Sequence, residues 1–230
     1  MTTTLMAPPI YRTSIGKKVI MAGSGLVLVL YVIGHMIGNL KAFLSQRELN
    51  DYADFLRRMG EPIFPHTVLL WIIRVILSVA FVLHVYFAID LSLANRRARQ
   101  QRYARTGHVQ ANPAPFTMRW GGLALGLFVI FHLTHFTWGW VHPGYTFIRG
   151  GVYHNVVESF NTWWLVVIYV AAMIALCLHL YHGTWSMFQT FGLNSQRWDN
   201  VVRKTAATVA VVVFLGYIAV PFGVLGGAIS

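Results

Sequence analysis

Five long runs of apolar residues set the pattern of this chain, with short polar stretches between them. They are Val19–Leu40, Thr67–Ala94, Trp120–Val141, Trp163–Phe188 and Thr205–Ile229. Crossing a bilayer takes about 20 predominantly apolar residues, and each run reaches that length. The pattern predicts an all-α integral membrane protein. Its five transmembrane helices lie at about 16–43, 66–95, 118–141, 161–189 and 203–229, within one domain spanning 1–230. The first run follows Lys17-Lys18 and has the outline of a signal peptide. Its 22 residues exceed a signal core, and no small-residue cleavage motif ends it, so it reads as a retained helix. The polar stretch 44–66 carries Ser45-Gln-Arg-Glu48, the pattern of a capping box, which predicts a short surface helix over about 46–59.

Composition narrows the class. Of 230 residues 56% are hydrophobic and only 11% charged, against roughly 25% charged in soluble domains. So few charges cannot cover a soluble protein of this size, which excludes a soluble enzyme and a disordered chain. The single cysteine, Cys177, excludes an internal disulfide, a zinc site of several thiolates, a four-cysteine iron–sulfur cluster and a Rieske centre. The net charge of +11 does not point to nucleic acid, because the basic residues sit between apolar runs rather than along one polar face.

Lys and Arg also predict orientation. Arg12, Lys17, Lys18, Arg96, Arg97, Arg99, Arg102, Arg105, Arg119, Arg197, Arg203 and Lys204 fall on one side. Lys41, Arg47, Arg57, Arg58 and Arg149 fall on the other, and Arg74 lies within the second run. Twelve against five puts the N-terminus in the cytoplasm and the C-terminus outside a cell membrane. Trp138, Trp140, Trp163 and Trp164 mark the outer interface.

Six of the ten histidines lie within apolar runs: His35, His84, His132, His135, His179 and His182. An ionisable side chain inside a membrane helix is costly and so is a functional candidate. One such histidine can be satisfied by a neighbouring helix; four consecutive helices each carrying one need another reason. His35, His84, His132 and His179 are separated by 49, 48 and 47 residues, one span and one loop each time. At about 1.5 Å per residue, His35 lies roughly 26 Å from the cytoplasmic side, His84 roughly 18 Å and His179 roughly 20 Å. His35 is thus an outer ligand, and His84 and His179 are inner ones. His132 comes out at roughly 20 Å and His135 at roughly 24 Å, which leaves open which of the two faces His35.

Two histidines facing each other across a four-helix bundle suit a b haem with two imidazole ligands. Four such histidines predict two haems held by the first four helices. Ala80 and Ala88 flank His84 by one turn, and Ala175 and Gly183 flank His179, leaving room for a flat macrocycle. Around the outer candidates Tyr31, Asn39, Phe128 and Phe136 are bulkier.

Four segments carry a resemblance. They are Ile33-Gly-His-Met-Ile-Gly-Asn-Leu40, Val82-Leu-His-Val-Tyr86 with Ala94-Asn-Arg-Arg-Ala98, Phe131-His-Leu-Thr-His-Phe136 and Leu178-His-Leu-Tyr-His-Gly-Thr-Trp-Ser186. In this order, and with the opening Ser14-Ile-Gly-Lys-Lys18, the chain resembles the single-chain, five-helix, dihaem cytochrome b membrane anchor of succinate:quinone oxidoreductases. The resemblance implies that His35 and His132 hold an outer haem and His84 and His179 an inner one. It leaves His135 and His182 beside the haems rather than on the iron. It also implies a flavoprotein subunit, an iron–sulfur subunit and a quinone, menaquinone or ubiquinone, as partners. Succinate or fumarate chemistry then belongs to a partner subunit, in the respiratory chain and the tricarboxylic acid cycle, and the whole complex can form a higher oligomer.

Quinone chemistry needs a proton donor or acceptor beside a cleft open to lipid. Glu61, Arg74 and His142 are outer candidates, and Arg12, Ser14 and Lys17 inner ones. Arg74 lies deep enough to need a partner such as a haem propionate or a quinone oxygen. Asp90 is the only acid well inside a run, six residues before Arg96 and within reach of the cytoplasmic arginines. Two other readings compete: a dihaem anchor of the formate dehydrogenase or nitrate reductase type, and a transporter using histidines for protons or metal. The latter calls for broken helices or paired carboxylates near the midplane, and the sequence has neither pattern.

Overall fold

A computed structural model describes residues 9–98 and 114–230. Arg99, Arg102 and Arg105 lie outside the described residues. Among those described there are helices and no strand, and five of the helices are long and apolar enough to cross a membrane. In chain order the α-helices are α1 (Ser14–Leu40), α2 (Gln46–Arg58), α3 (Val68–Ala98), α4 (Ala114–His132), α5 (Val152–Phe160), α6 (Trp163–Thr190) and α7 (Asp199–Leu225). Five residues of π-helix, Leu133–Thr137, extend α4.

Local chemistry fixes several ends. Thr13 caps α1, its side chain accepting from the Gly16 amide at 3.0 Å. Ser45 caps α2 by accepting from the Glu48 amide at 3.1 Å, as the capping pattern predicts. The Glu48 carboxylate turns instead toward Lys41, 3.6 Å away. The first span begins earlier than the apolar run does, at Ser14, because the cap supplies a start that hydrophobicity does not register. The third ends earlier than expected: regular helix stops at His132, and the π turn gives out at Thr137, four residues short of Val141.

The long helices alternate in direction, so two ends can be distinguished. The starts of α1, α4 and α7 share the basic end with the finishes of α3 and α6. The opposite, tryptophan-bearing end holds α2 and α5. At the tryptophan end, buried Leu49, Tyr153, Phe160, Val166, Val220 and Ile229 form one cluster. Asn50 ties α2 to α5 by accepting from the Tyr153 amide at 3.1 Å. Deeper in the bundle Met36, Leu180, Ala210 and Val213 form a second cluster joining α1, α6 and α7. A Cβ on Gly216 would collide with the Met36 side chain, so glycine is what lets α7 approach α1 there.

The fifth span, which carries no histidine, is packed into the bundle. α7 packs along α6 and against α1, and it contributes seven buried residues. Its Tyr217 donates to the Val32 carbonyl at 2.8 Å. By contrast α3 leans chiefly on α1, and α4 leans on α6. Of the 31 residues of α3 only Ala80 and Phe87 are buried. The chain therefore comprises a helix pair α1–α3, a pair α4–α6, and α7 bracing both through α6 and α1.

Candidate functional site

The pairing of helices brings the four spaced histidines together as two couples. His35 of α1 meets His132 of α4, with ring centroids 6.0 Å apart and planes at 82°. His84 of α3 meets His179 of α6, with centroids 6.1 Å apart and planes at 72°. A five-membered ring with bonds of about 1.35 Å has a radius of about 1.15 Å. A metal–imidazole nitrogen bond is about 2.0–2.1 Å long. Two imidazoles on opposite sides of one metal therefore have centroids about 6.3 Å apart. Both couples fall within about 0.3 Å of that separation.

In two of the four rings one nitrogen can be assigned a task. His84 holds its Nδ1 3.0 Å from the Met21 carbonyl of α1. A carbonyl only accepts, so Nδ1 carries the proton and Nε2 keeps its lone pair, the form that binds metal. His132 holds its Nδ1 3.3 Å from the Tyr169 hydroxyl of α6. His179 Nδ1 is buried with no hydrogen-bond partner among the described residues. His35 stacks on Tyr31 at 5.4 Å and tilts against Tyr217 at 6.2 Å.

Space around the couples comes from small residues. A Cβ on Gly25 would stand 3.1 Å from the His84 ring, and one on Gly122 would stand 3.5 Å from the His179 ring. Gly126 and Gly183 have no heavy atom within 4 Å of where a Cβ would be, so their sides of α4 and α6 are open. Ala80 is buried, while Ala88 and Ala175 are half-buried. Imidazoles paired at metal-bridging distance, beside open small-residue flanks, fit a haem with two histidine ligands.

His135 is placed quite differently from His132. It is fully buried, and both of its nitrogens are taken. Nδ1 lies 2.9 Å from the Tyr169 hydroxyl, and Nε2 lies 3.0 Å from Ser159 Oγ of α5. The π turn produces this arrangement, carrying His135 away from His35 and toward α5. Depth counted along a regular helix favours His135 as the partner of His35; in the structure that neighbour is His132. The count treats the span as one continuous α-helix, and the π turn breaks that assumption.

The remaining predicted residues scatter. His182 contacts Tyr181, with centroids 4.9 Å apart, and lies within electrostatic reach of His179. Arg74 is exposed on α3 over the Trp71 ring, 5.0 Å from its centroid. It lies within electrostatic reach of the Tyr31 hydroxyl, one ring removed from His35. Glu61 engages His66 at 3.0 Å. His142 Nδ1 is 2.8 Å from the Tyr145 carbonyl, so there it is the donor. At the basic end Ser14 is exposed, Arg12 lies over the Tyr11 ring, and Lys17 approaches Asp90 Oδ2 at 2.6 Å. That last contact is charge proximity rather than an aligned hydrogen bond. It gives Asp90 a lysine partner rather than the arginines that follow it.

Tyr169 and Ser159, which sequence reasoning passes over, complete the site, and Tyr145 only flanks Ser159. Tyr169 serves both His132 and His135, and its signal is that it carries the only hydroxyl in the apolar run 166–178. Ser159 and Tyr145 lie between spans and have no such signal. Burial holds the Tyr145 hydroxyl proton more tightly than usual, outweighing the opposing effect of its bond to Ser159. In comparisons with known proteins, no family model, no curated protein and no solved structure matches this chain.

Proposed function

We propose that this chain is a dihaem cytochrome b: the membrane anchor of a succinate:quinone oxidoreductase. It would pass electrons between an iron–sulfur subunit and quinone. The observation that carries the reading is the pair of histidine couples at 6.0 and 6.1 Å, each drawn from two different transmembrane helices. A single such couple has many explanations. Two couples at one separation, towards opposite ends of the bundle, have the form of a two-step electron path.

Haem bound at each couple would supply a reversible one-electron carrier. The protein's own part is to present lone pairs and exclude water. The Met21 carbonyl orients His84, and Tyr169 orients His132. Phe128 and Phe136 border His132, and Tyr31 and Tyr217 border His35. The excess of Lys and Arg supports a cytoplasmic basic end. There the iron–sulfur subunit would dock beside Arg12, Ser14 and Lys17, with the His84–His179 couple nearest to it. Arg74, behind Tyr31, is the best supported of the outer quinone candidates.

The test is a pyridine haemochrome assay on the purified complex, together with a subunit gel. The expected result is two b haems per chain, with a flavoprotein and an iron–sulfur subunit co-purifying. A ratio near zero refutes the reading, and a ratio near one removes one couple. A molybdenum enzyme as the co-purifying partner would reassign the anchor to the formate dehydrogenase or nitrate reductase type.

A further inference from the structure

The hydrogen bonds around His135 reach from α5 to His132, and the inference drawn from them rests on the dihaem reading above. Ser159 Oγ has three neighbours: the Asn155 carbonyl at 2.6 Å, the Tyr145 hydroxyl at 2.8 Å and His135 Nε2 at 3.0 Å. A serine has one proton to give and two lone pairs with which to accept. The Asn155 carbonyl can only accept, and it is the nearest, so the Ser159 proton goes there. Ser159 Oγ must then accept from the other two. Tyr145 donates to it, and so does His135, whose proton is thereby on Nε2. His135 Nδ1 is left as an acceptor, and its neighbour, the Tyr169 hydroxyl at 2.9 Å, must donate. Tyr169 has then spent its only proton, so its oxygen accepts from His132 Nδ1 at 3.3 Å. His132 therefore carries its proton on Nδ1 and has a free lone pair on Nε2. One backbone carbonyl of α5 thus determines, through three side chains, the protonation pattern of a ligand on α4.

We propose that Ser159, His135 and Tyr169 are positioning residues that hold His132 in its metal-binding tautomer and tune the outer haem, although neither Ser159 nor His135 binds it. With a neutral His135, every member can be satisfied in this order and in no other that keeps the Asn155 bond. The chain is also shielded: Ser159 and His135 are fully buried and Tyr169 is 8% exposed, so water does not offer alternative partners. The inner couple has no equivalent, since His84 is oriented by a single backbone carbonyl.

The experiment is a spectroelectrochemical titration of the intact complex in membranes, with the low-spin electron paramagnetic resonance signal of each haem recorded in parallel. Donation from Nδ1–H increases the basicity of a histidine ligand and favours the oxidised metal. In Tyr169→Phe the outer haem should therefore titrate at a higher potential while the inner haem stays where it was. A tenfold change in preference between oxidation states reads as a shift of about 59 mV for one electron. Ser159→Ala should move the outer haem in the same direction despite its distance from the iron. Without an acceptor at Nε2, the His135 ring is free to turn its proton toward Tyr169, and the order of donation is lost. Tyr145→Phe should change nothing, because Ser159 stays anchored to Asn155. If Tyr169→Phe does not assemble, Ser159→Ala and Tyr145→Phe decide between them. An outer haem unmoved in Ser159→Ala, or moved equally in Tyr145→Phe, overturns the proposal while leaving the dihaem reading intact. A wild-type complex without b haem refutes the dihaem reading itself.

Discussion

Gly25 and Gly122 allow a matched test of how tightly the inner couple is held. Each glycine faces one of the paired rings, and the same substitution should have opposite outcomes. In Gly25→Ala the new Cβ stands 3.1 Å from His84 Cε1 and 3.2 Å from Nδ1, inside the 3.4 Å at which ordinary contact begins. The ring must retreat by about 0.3 Å, and metal–ligand distances tolerate only about 0.2 Å. It has nowhere easy to go, being bonded through Nδ1 to Met21 on the same helix as the intruding methyl. In Gly122→Ala the Cβ stands 3.5 Å from His179 Cε1, which is ordinary packing. Disturbing the orientation of a ligand typically costs about 10–100-fold in metal affinity, or about 1.4–2.8 kcal/mol. Helix propensity works the other way, since alanine favours a helix over glycine by about 1 kcal/mol; a loss in Gly25→Ala would not be a loss of helix. The assay is the reduced-minus-oxidised spectrum with the haem-to-chain ratio. Gly25→Ala should lose or weaken one haem, and Gly122→Ala should keep both. Equal behaviour of the two variants would refute the reasoning.

Three further outcomes follow from the same geometry. His84→Ala and His179→Ala should each abolish the inner haem and leave the outer low-spin signal in place; retention of both haems in either variant would remove that couple. His132→Ala should lose the outer haem, whereas His135→Ala should keep it with an altered potential, and paramagnetic resonance on the pair would reverse the assignment if the losses were exchanged. Asp90→Asn removes the charge facing Lys17 and leaves that lysine without its partner, so the complex's melting temperature should fall; an unchanged melting temperature would show that the pair does not help join α1 to α3.

Much of the fold was legible because membrane spans announce themselves by length and apolarity, and Ser45 announces α2 by its chemistry. The histidine ladder was legible for the same reason, since a ladder of equal spacings survives any uncertainty about helix ends. The choice between His132 and His135 was not. It depends on the five-residue π turn, and nothing in Leu133-Thr-His-Phe-Thr137 distinguishes that turn from continued α-helix. The Ser159–Tyr145 contact was invisible because it joins residues outside the apolar spans, where no period constrains the chain. Helix α5 is short and lies in a connecting segment, so spans alone gave no reason to expect it. The role of α7 was also hidden, because a span without histidines looks dispensable until its small residues, Ala206, Ala210 and Gly216, are seen meeting their neighbours.

The division into α1–α3 and α4–α6 has a consequence for how the molecule is completed. Each couple takes one histidine from each pair of helices: His35 with His132, and His84 with His179. On the dihaem reading, each haem is then a clasp across the same seam. Closing the first clasp tightens a seam that α7 already braces, so the second pair of ligands meets at a higher effective concentration than before. Loading becomes cooperative. When haem is scarce, doubly filled chains should outnumber those that two independent sites would give. A cell short of haem would then make fewer finished anchors, but the finished ones would be able to carry electrons the whole way.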